Sequence, residues 1–229
     1  MKTIGLIGGT SWVSTIDYYR YINQMVNEKL GGINSQKILL YSMNMDDLFK
    51  FGNVNDWEGL GKFMTDIALK LQTAGAECIV ICANTPHIVA DLVQPRINIP
   101  LIHIADETAK EIVKKKLKKV ILLGTKITME QDFLKKRLLN YGIETIIPEG
   151  EDREFIHTSI FSELGKGIFS DETRKKYLHI INNLQKSGGE GVILGCTEIP
   201  MLIKPEDCSI PSFDTTLIHA KAAVEFALA

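Results

Sequence analysis

Short runs of Val, Ile and Leu alternate along this chain with longer stretches whose apolar residues recur every three or four positions. The first pattern is that of a strand buried on both faces, the second that of a helix with one apolar side. "KTIGLIGGT" at Lys2 predicts a strand and a tight turn. A helix follows with Ser14 as its N-cap, an apolar face of Ile16, Tyr19, Ile22, Met25 and Val26, and a stop at Gly31–Gly32. "KILLYSM" is a second strand, and the next helix carries Leu60, Phe63, Met64, Ile67 and Leu71 on one side before ending at Gly75. "AECIVICA" and "NIPLIHI" read as strands, separated by a short helix "PHIVADLVQ" with Pro86 in its first turn. After the helix "DETAKEIVKKKL", the strands "KKVILLGT", "ETIIP", "EGVILGCT" and "SIPSFD" alternate with helices around "MEQDFLKKRLLNYG", "REFIHTSIFSELG" and "DETRKKYLHIINNLQKSGG". A final helix runs to Ala229. The alternation predicts an α/β protein with parallel sheets covered on both faces.

The order of elements repeats. "KTIGLIGGT" at Lys2 resembles "KKVILLGTK" at Lys118, "GAECIVICANTPH" at Gly75 resembles "GGEGVILGCTEIP" at Gly188, and "IPLIHI" at Ile99 resembles "IPSFDT" at Ile210. The offsets are 116, 113 and 111 residues. Three matches in order at a near-constant offset predict two pseudo-symmetric α/β domains, each with a parallel four-stranded sheet. The first spans residues 1–104 plus 211–229 and the second 105–210. Ligands of parallel sheets lie beyond the carboxyl ends of the strands, so two facing domains place the active site in the interdomain cleft.

The repeat pairs Ala83 with Cys196, Asn84 with Thr197 and Thr85 with Glu198. A thiol at a strand end becomes a useful base when neighbouring N–H dipoles lower its pKa, and the turn after Cys196 supplies such groups. The matching position, in "ICANTPH", is an alanine with nothing to give or take. Cys78 and Cys208 read as small core residues. Asn84 and Thr85 are donors suited to a carboxylate and also suited to capping the helix that follows. "GGTS" at Gly8–Ser11 is a second donor-rich turn, and "LGT" at Leu123–Thr125 is its counterpart. His87, His103 and His219 stand far apart in the chain and read as structural.

Composition narrows the partners. The 229 residues are 45% hydrophobic and 24% charged, with a net charge of −2, which argues against nucleic acid or an anionic membrane. The basic run "KEIVKKKLKK" fits the solvated side of a helix. No apolar stretch approaches the roughly 20 residues of a membrane helix, and the opening "MKTIGLIGGT" does not read as a signal peptide. The four cysteines lack CxxC spacing and read as reduced thiols of a cytoplasmic protein. Without HExxH, a Walker lysine or clustered ligands, neither a metal nor a nucleotide cofactor is expected.

The segments "MKTIGLIGGTSW", "STIDYYR", "CANTPH", "LIHIADET", "LLGT", "TMEQDF", "GVILGCTEI" and "FDTTLIHA" together resemble the cofactor-independent aspartate/glutamate racemase family over nearly the whole chain, and most closely its L-aspartate/glutamate-specific subgroup. That resemblance implies two related domains and one acid–base residue from each, acting on opposite faces of the substrate α-carbon. It matches Cys196 to the second catalytic cysteine, and Thr10, Ser11, Asn84, Thr85, Thr125 and Thr197 to the substrate pocket. It also implies a homodimer.

Two departures stand out. Family members carry cysteine, or in some L-specific cases threonine, before the "NT" where this chain has Ala83. Cys82 is one residue early and on a strand faces the other way, so a second acid–base group would have to be a reoriented Cys82 or Thr85. Some aspartate-specific members also use an arginine after the second strand and a lysine before the matching glycine. Here "MNMDDLFKF" has no arginine and Lys166 is displaced by one residue. The expected function is racemisation of an aspartate- or glutamate-like amino acid. The alternatives are a single-cysteine decarboxylase or isomerase of carboxylic acids, and a binder of amino acids or dicarboxylates that has lost turnover.

Overall fold

The computed structural model describes residues 1–52 and 54–229. They form two compact units, Met1–Ile104 with Thr216–Ala229, and Ala105–Thr215. In chain order the first unit contains β1 (Ile4–Gly8), α1 (Trp12–Leu30), β2 (Ile38–Ser42), α2 (Met45–Gly52), α3 (Trp57–Thr73), β3 (Cys78–Ile81), α4 (Ala90–Val93) and β4 (Leu101–Ile102). α5 (Ile104–Lys114) leads into the second unit, with β5 (Lys119–Gly124), α6 (Lys126–Glu130), α7 (Asp132–Asn140), β6 (Glu144–Ile146), α8 (Gly150–Ser162), α9 (Asp171–Lys186), β7 (Val192–Gly195), α10 (Ile199–Leu202) and β8 (Ser212–Asp214). α11 (Thr215–Leu228) returns the chain to the first unit.

Each unit has one parallel four-stranded sheet, with strand orders β2-β1-β3-β4 and β6-β5-β7-β8. The two orders are the same, as the sequence repeat requires. The registers agree as well. Ile7 pairs with Ile81 in the first sheet, Gly124 pairs with Gly195 in the second, and each central pair runs to its carboxyl end in step. β8 pairs with β7 through Val192–Ser212 and Leu194–Asp214. Residues 212–214 therefore belong to the second unit, and the chain returns to the first only at Thr216, not at 211 as the sequence reading placed it. The reason is that a strand's membership is decided by its ladder partner.

Apolar layers cover both faces of the first sheet. On one, Leu60, Met64, Ile67 and Leu71 of α3 pack with Ile7, Ile79 and Ile81. On the other, Tyr18, Ile22 and Val26 of α1 and Ala220, Ala223 and Val224 of α11 pack with Leu6, Val80 and Cys82. In the second unit, Ile156, Ile160, Tyr177, Ile180 and Ile181 of α8 and α9 cover Ile121, Leu123, Val192 and Leu194. Side chains this deeply buried each contribute about 1.5–3 kcal/mol.

α1 departs from expectation. Its N-cap is Ser11, whose side chain accepts from Ser14 N–H, and its buried stripe is Ser14, Thr15, Tyr18, Ile22 and Val26. Ile16 and Tyr19 are exposed. A periodicity search weighted toward apolar residues misses a face whose first turn is made of hydroxyls. The predicted helix after Pro86 is broken into a 3₁₀ turn (Thr85–Val89), α4 and a second 3₁₀ turn (Gln94–Arg96). Pro86 and Pro95 each lack the N–H that a continuous helix would use.

Candidate active site

In the second unit, β7 ends at Gly195 and the chain turns through Cys196, Thr197 and Glu198 into α10. Ile199 N–H donates to Cys196 O at 3.1 Å, which closes the turn. A Cβ on Gly195 would lie 2.7 Å from Leu123 O, and one on Gly124 would lie 2.9 Å from Gly195 O, so the paired strand ends need both glycines. Thr125 follows directly. Its hydroxyl caps α6 by accepting from Thr128 N–H at 3.3 Å and lies 3.1 Å from the Thr128 hydroxyl.

Glu198 is the residue that sequence reasoning missed. Its Oε2 accepts from the Cys196 thiol at 2.9 Å and from the Thr197 hydroxyl at 2.7 Å, and the side chain is buried. The available signal was an acid two residues after the thiol in a turn, a spacing that folds the carboxylate back onto the sulfur. Burial pushes the Cys196 thiol well above its ordinary range, and the Glu198 carboxylate pushes it further. The backbone N–H groups of Glu198 and Thr197 pull the other way, as the sequence reading expected of this turn, but they are outweighed. The expected lowering of the Cys196 pKa is therefore reversed, and Cys196 rests as a protonated thiol with a carboxylate against it.

In the first unit, Gly8 and Gly9 turn the chain after β1. Gly9 has φ +88°, and a Cβ there would lie 2.0 Å from Met43 O, so only glycine fits. Thr15 Oγ1 accepts from Gly9 N–H at 2.9 Å and donates to Ser11 O at 3.0 Å. Thr10 Oγ1 is buried and has no hydrogen-bond partner among the described residues. Ser11 caps α1 through its side-chain oxygen, which accepts from Ser14 N–H.

β3 ends in a tight turn, with Ala83 N–H donating to Ile81 O at 2.9 Å. Ser14 Oγ donates to Cys82 O at 3.1 Å and His87 Nδ1 lies 2.8 Å from Ala83 O. Ala83 and Asn84 are buried and Thr85 is partly exposed. The Cys82 side chain faces the other way, into the core with Leu6, Tyr18, Ile22 and Val80. Its thiol makes only a weak 3.9 Å contact with Val80 O, and burial pushes its pKa far up. The turn at the strand end does not bring this sulfur around to join Ala83, Asn84 and Thr85. Cys78 is also buried, and its thiol is pushed up to about 12 by burial. Lys166 is exposed, directly before Gly167 with φ 76°.

The first unit thus gathers Thr10, Ser11, Ala83, Asn84 and Thr85 at the carboxyl ends of β1 and β3, and the second gathers Thr125, Cys196, Thr197 and Glu198 at those of β5 and β7. The second set joins a thiol to a carboxylate. The first offers hydrogen-bonding groups around an inert methyl. Among the described residues no group of three or more His, Cys, Asp or Glu side chains could hold a metal, and no helix is long and apolar enough to cross a membrane.

Known proteins share this fold. A crystal structure from Yersinia pestis, described provisionally as an Asp/Glu racemase, is 46% identical and superposes with a TM-score of 0.95, covering all of both chains. An aspartate racemase homologue from Pyrococcus horikoshii OT3 is 40% identical, with a TM-score of 0.89 over all of both chains. A broad specificity amino-acid racemase of Bacillus subtilis (strain 168) is 23% identical over 99% of this chain and 98% of its own length. The model of the Asp/Glu/Hydantoin racemase family matches residues 7–223, with both strand-end clusters inside that span. The chain belongs to the Asp/Glu/Hydantoin racemase family.

Proposed function

We propose that this protein is a cofactor-independent amino-acid racemase of aspartate- or glutamate-like substrates in which Cys196 moves the α-proton. The observation that carries the reading is the Cys196 thiol held 2.9 Å from buried Glu198 at the end of β7. A resting thiol is ready to donate. To act as a base it must first pass its proton to Glu198, which becomes a carboxylic acid. The resulting thiolate removes the α-proton and is again a thiol, and the substrate is left as a carbanion delocalised into its carboxylate. Reprotonation on the other face completes inversion, and the proton held by Glu198 passes to solvent as solvent restores the donor on that face. Hydrogen bonds to the substrate carboxylate stabilise that carbanion, and we assign them to side-chain or backbone N–H donors of Thr10, Ser11, Asn84, Thr85, Thr125 and Thr197. The partnerless hydroxyl of Thr10 supports this for the first unit.

Ala83 stands where the repeat pairs a position with Cys196, and it has no proton to give. Water or the Thr85 hydroxyl then supplies the second transfer, and Cys82 takes no part. Proton exchange should outrun inversion. The test is ¹H NMR in D₂O with L- and D-aspartate and L- and D-glutamate, following loss of the α-proton, alongside chiral chromatography for inversion. The expected result is fast exchange of one enantiomer and slower appearance of the other. Binding of all four without exchange would make the protein a binder and end the racemase reading.

Ala83 favours one further reading. A thiol in one half of the repeat and an alanine at the matching position of the other suit one-sided protonation of an enediolate left by decarboxylation of a malonate-type acid. Release of CO₂ from such an acid, without exchange of amino-acid α-protons, would select it.

A further inference from the structure

His87, His103 and His219 are scattered through the sequence but form one cluster in the first unit. The ring centroids of His87 and His103 are 4.7 Å apart, and those of His87 and His219 are 5.4 Å apart. Tyr18 closes the group, 5.6 Å from His219 and edge-on to it. All four side chains are buried.

Their partners fix the protons. His219 Nε2 lies 2.7 Å from Ile102 O, which only accepts, so Nε2 carries the hydrogen. His219 Nδ1 then accepts from the Tyr18 hydroxyl at 2.8 Å. His87 has the opposite tautomer. Its Nδ1 lies 2.8 Å from Ala83 O and must donate, while Nε2 accepts from Ile104 N–H at 3.3 Å. One neutral imidazole therefore ties the end of β3 to the start of α5, and a second secures the end of β4 beside it.

We infer that His87 is a positioning residue for substrate binding. The peptide joining Ala83 to Asn84 is planar and trans, so fixing its carbonyl on His87 fixes the Asn84 N–H in the opposite direction. His87 N–H also donates to Asn84 O at 3.1 Å, so both peptide groups of Asn84 take their orientation from this one residue. The Nδ1 tautomer is required. With the hydrogen on Nε2, that nitrogen would meet the Ile104 N–H donor and Ala83 O would lose its partner. The inference rests on the proposed reading that Asn84 binds substrate.

Two variants separate positioning from simple filling of space. In His87→Asn the side-chain amide reaches the position of Nδ1 and keeps a donor for Ala83 O. In His87→Gln it reaches toward Nε2, keeps an acceptor for Ile104 N–H and releases Ala83 O. Glutamine should raise KM for α-proton exchange about tenfold with kcat little changed, the scale of one hydrogen bond, while asparagine stays within about twofold of the parent. Equal KM values for the two variants, or a parental KM in the glutamine variant, overturn the proposal. The unsubstituted protein gives a second readout that needs no variant to fold. Imidazole ¹⁵N NMR should show His87 as the Nδ1–H tautomer and His219 as the Nε2–H tautomer, with the His87 Nδ1–H resonance moving when aspartate is added and the His219 resonance staying in place. An Nε2–H tautomer at His87, or a His87 resonance unmoved at saturating aspartate, overturns it. The tautomers are read without substrate, so failure of the racemase reading remains distinguishable from failure at His87.

Discussion

The ends of β3 and β7 occupy equivalent places in sheets of the same strand order, yet their chemistry has diverged. Both central pairs rest on a glycine, Gly8 and Gly124, and both end in a turn that starts a short helical segment. Both are also anchored at the other end by a glutamate. Glu77 accepts from Thr3 N–H at 2.7 Å, and Glu190 accepts from Lys118 N–H at 2.6 Å and from Lys119 N–H at 3.0 Å. At the end of β7 the turn presents a thiol against a buried carboxylate. At the end of β3 it presents a methyl, and the polar groups behind it include two imidazoles held by backbone groups and by the Tyr18 hydroxyl. The scaffold is set by backbone pairing and glycine, which tolerate divergence of the reactive side chains. On the proposed reading, one unit carries groups that move protons and the other groups that hold a peptide in place.

The largest effect should come from removing the Cys196 sulfur. Cys196→Ser should lower α-proton exchange by about 10²–10⁴-fold, because a hydroxyl is a far weaker acid and a poorer base. Exchange kinetics in D₂O measure it, and near-parental turnover would reassign the chemistry. Restoring symmetry is the next test. Ala83→Cys should raise the ratio of inversion to exchange by up to about 10²-fold, provided circular dichroism and substrate binding show the site intact, since small-to-large changes risk overpacking. A folded, substrate-binding variant with an unchanged ratio would mean that another group already supplies the second proton.

The units should also differ in their response to acid. Burial pushes His219 down from 6.5 to about 4. Its folded pKa lies below its unfolded one, so the unfolded chain binds the proton more readily between those values. Its contribution is whole above pH 6.5 and falls as the pH drops toward 4. Moving from pH 7 to pH 5 should remove about 2 kcal/mol from the first unit. Hydrogen exchange of β4 and α11 amides, compared with β5 and β7 amides, would show the asymmetry, and equal loss in both sets would refute it. The smallest effect is the most diagnostic of the pairing at β7. Glu198→Gln removes the charge that raises the thiol, so alkylation of Cys196 at fixed pH should speed up. The thiol also loses its proton acceptor, so turnover should fall about tenfold. Two readouts moving in opposite directions identify the pair, and a parallel fall in both would point to simple loss of structure.

Much of this was legible in the sequence because strands and helices announce themselves by periodicity. The near-constant offset between the halves predicts the two sheets, and it pairs Ala83 with Cys196 from the sequence alone. The place of Cys196 at a strand end was also legible, since it follows the glycine that closes an apolar run. Three things were decided only by tertiary structure. Whether residues 212–214 belong to the first or second unit depended on which strand Phe213 would pair with, and Ile193 settled it. The state of the thiol depended on how far the Cys196 turn is buried and where Glu198 folds, and desolvation and charge reversed the expectation drawn from N–H dipoles alone. The histidine cluster depended on contacts between residues as much as 132 positions apart, His87 and His219, which no local pattern encodes. Periodicity reports which side of an element is apolar. The partner met by a polar side chain is fixed only when the elements pack.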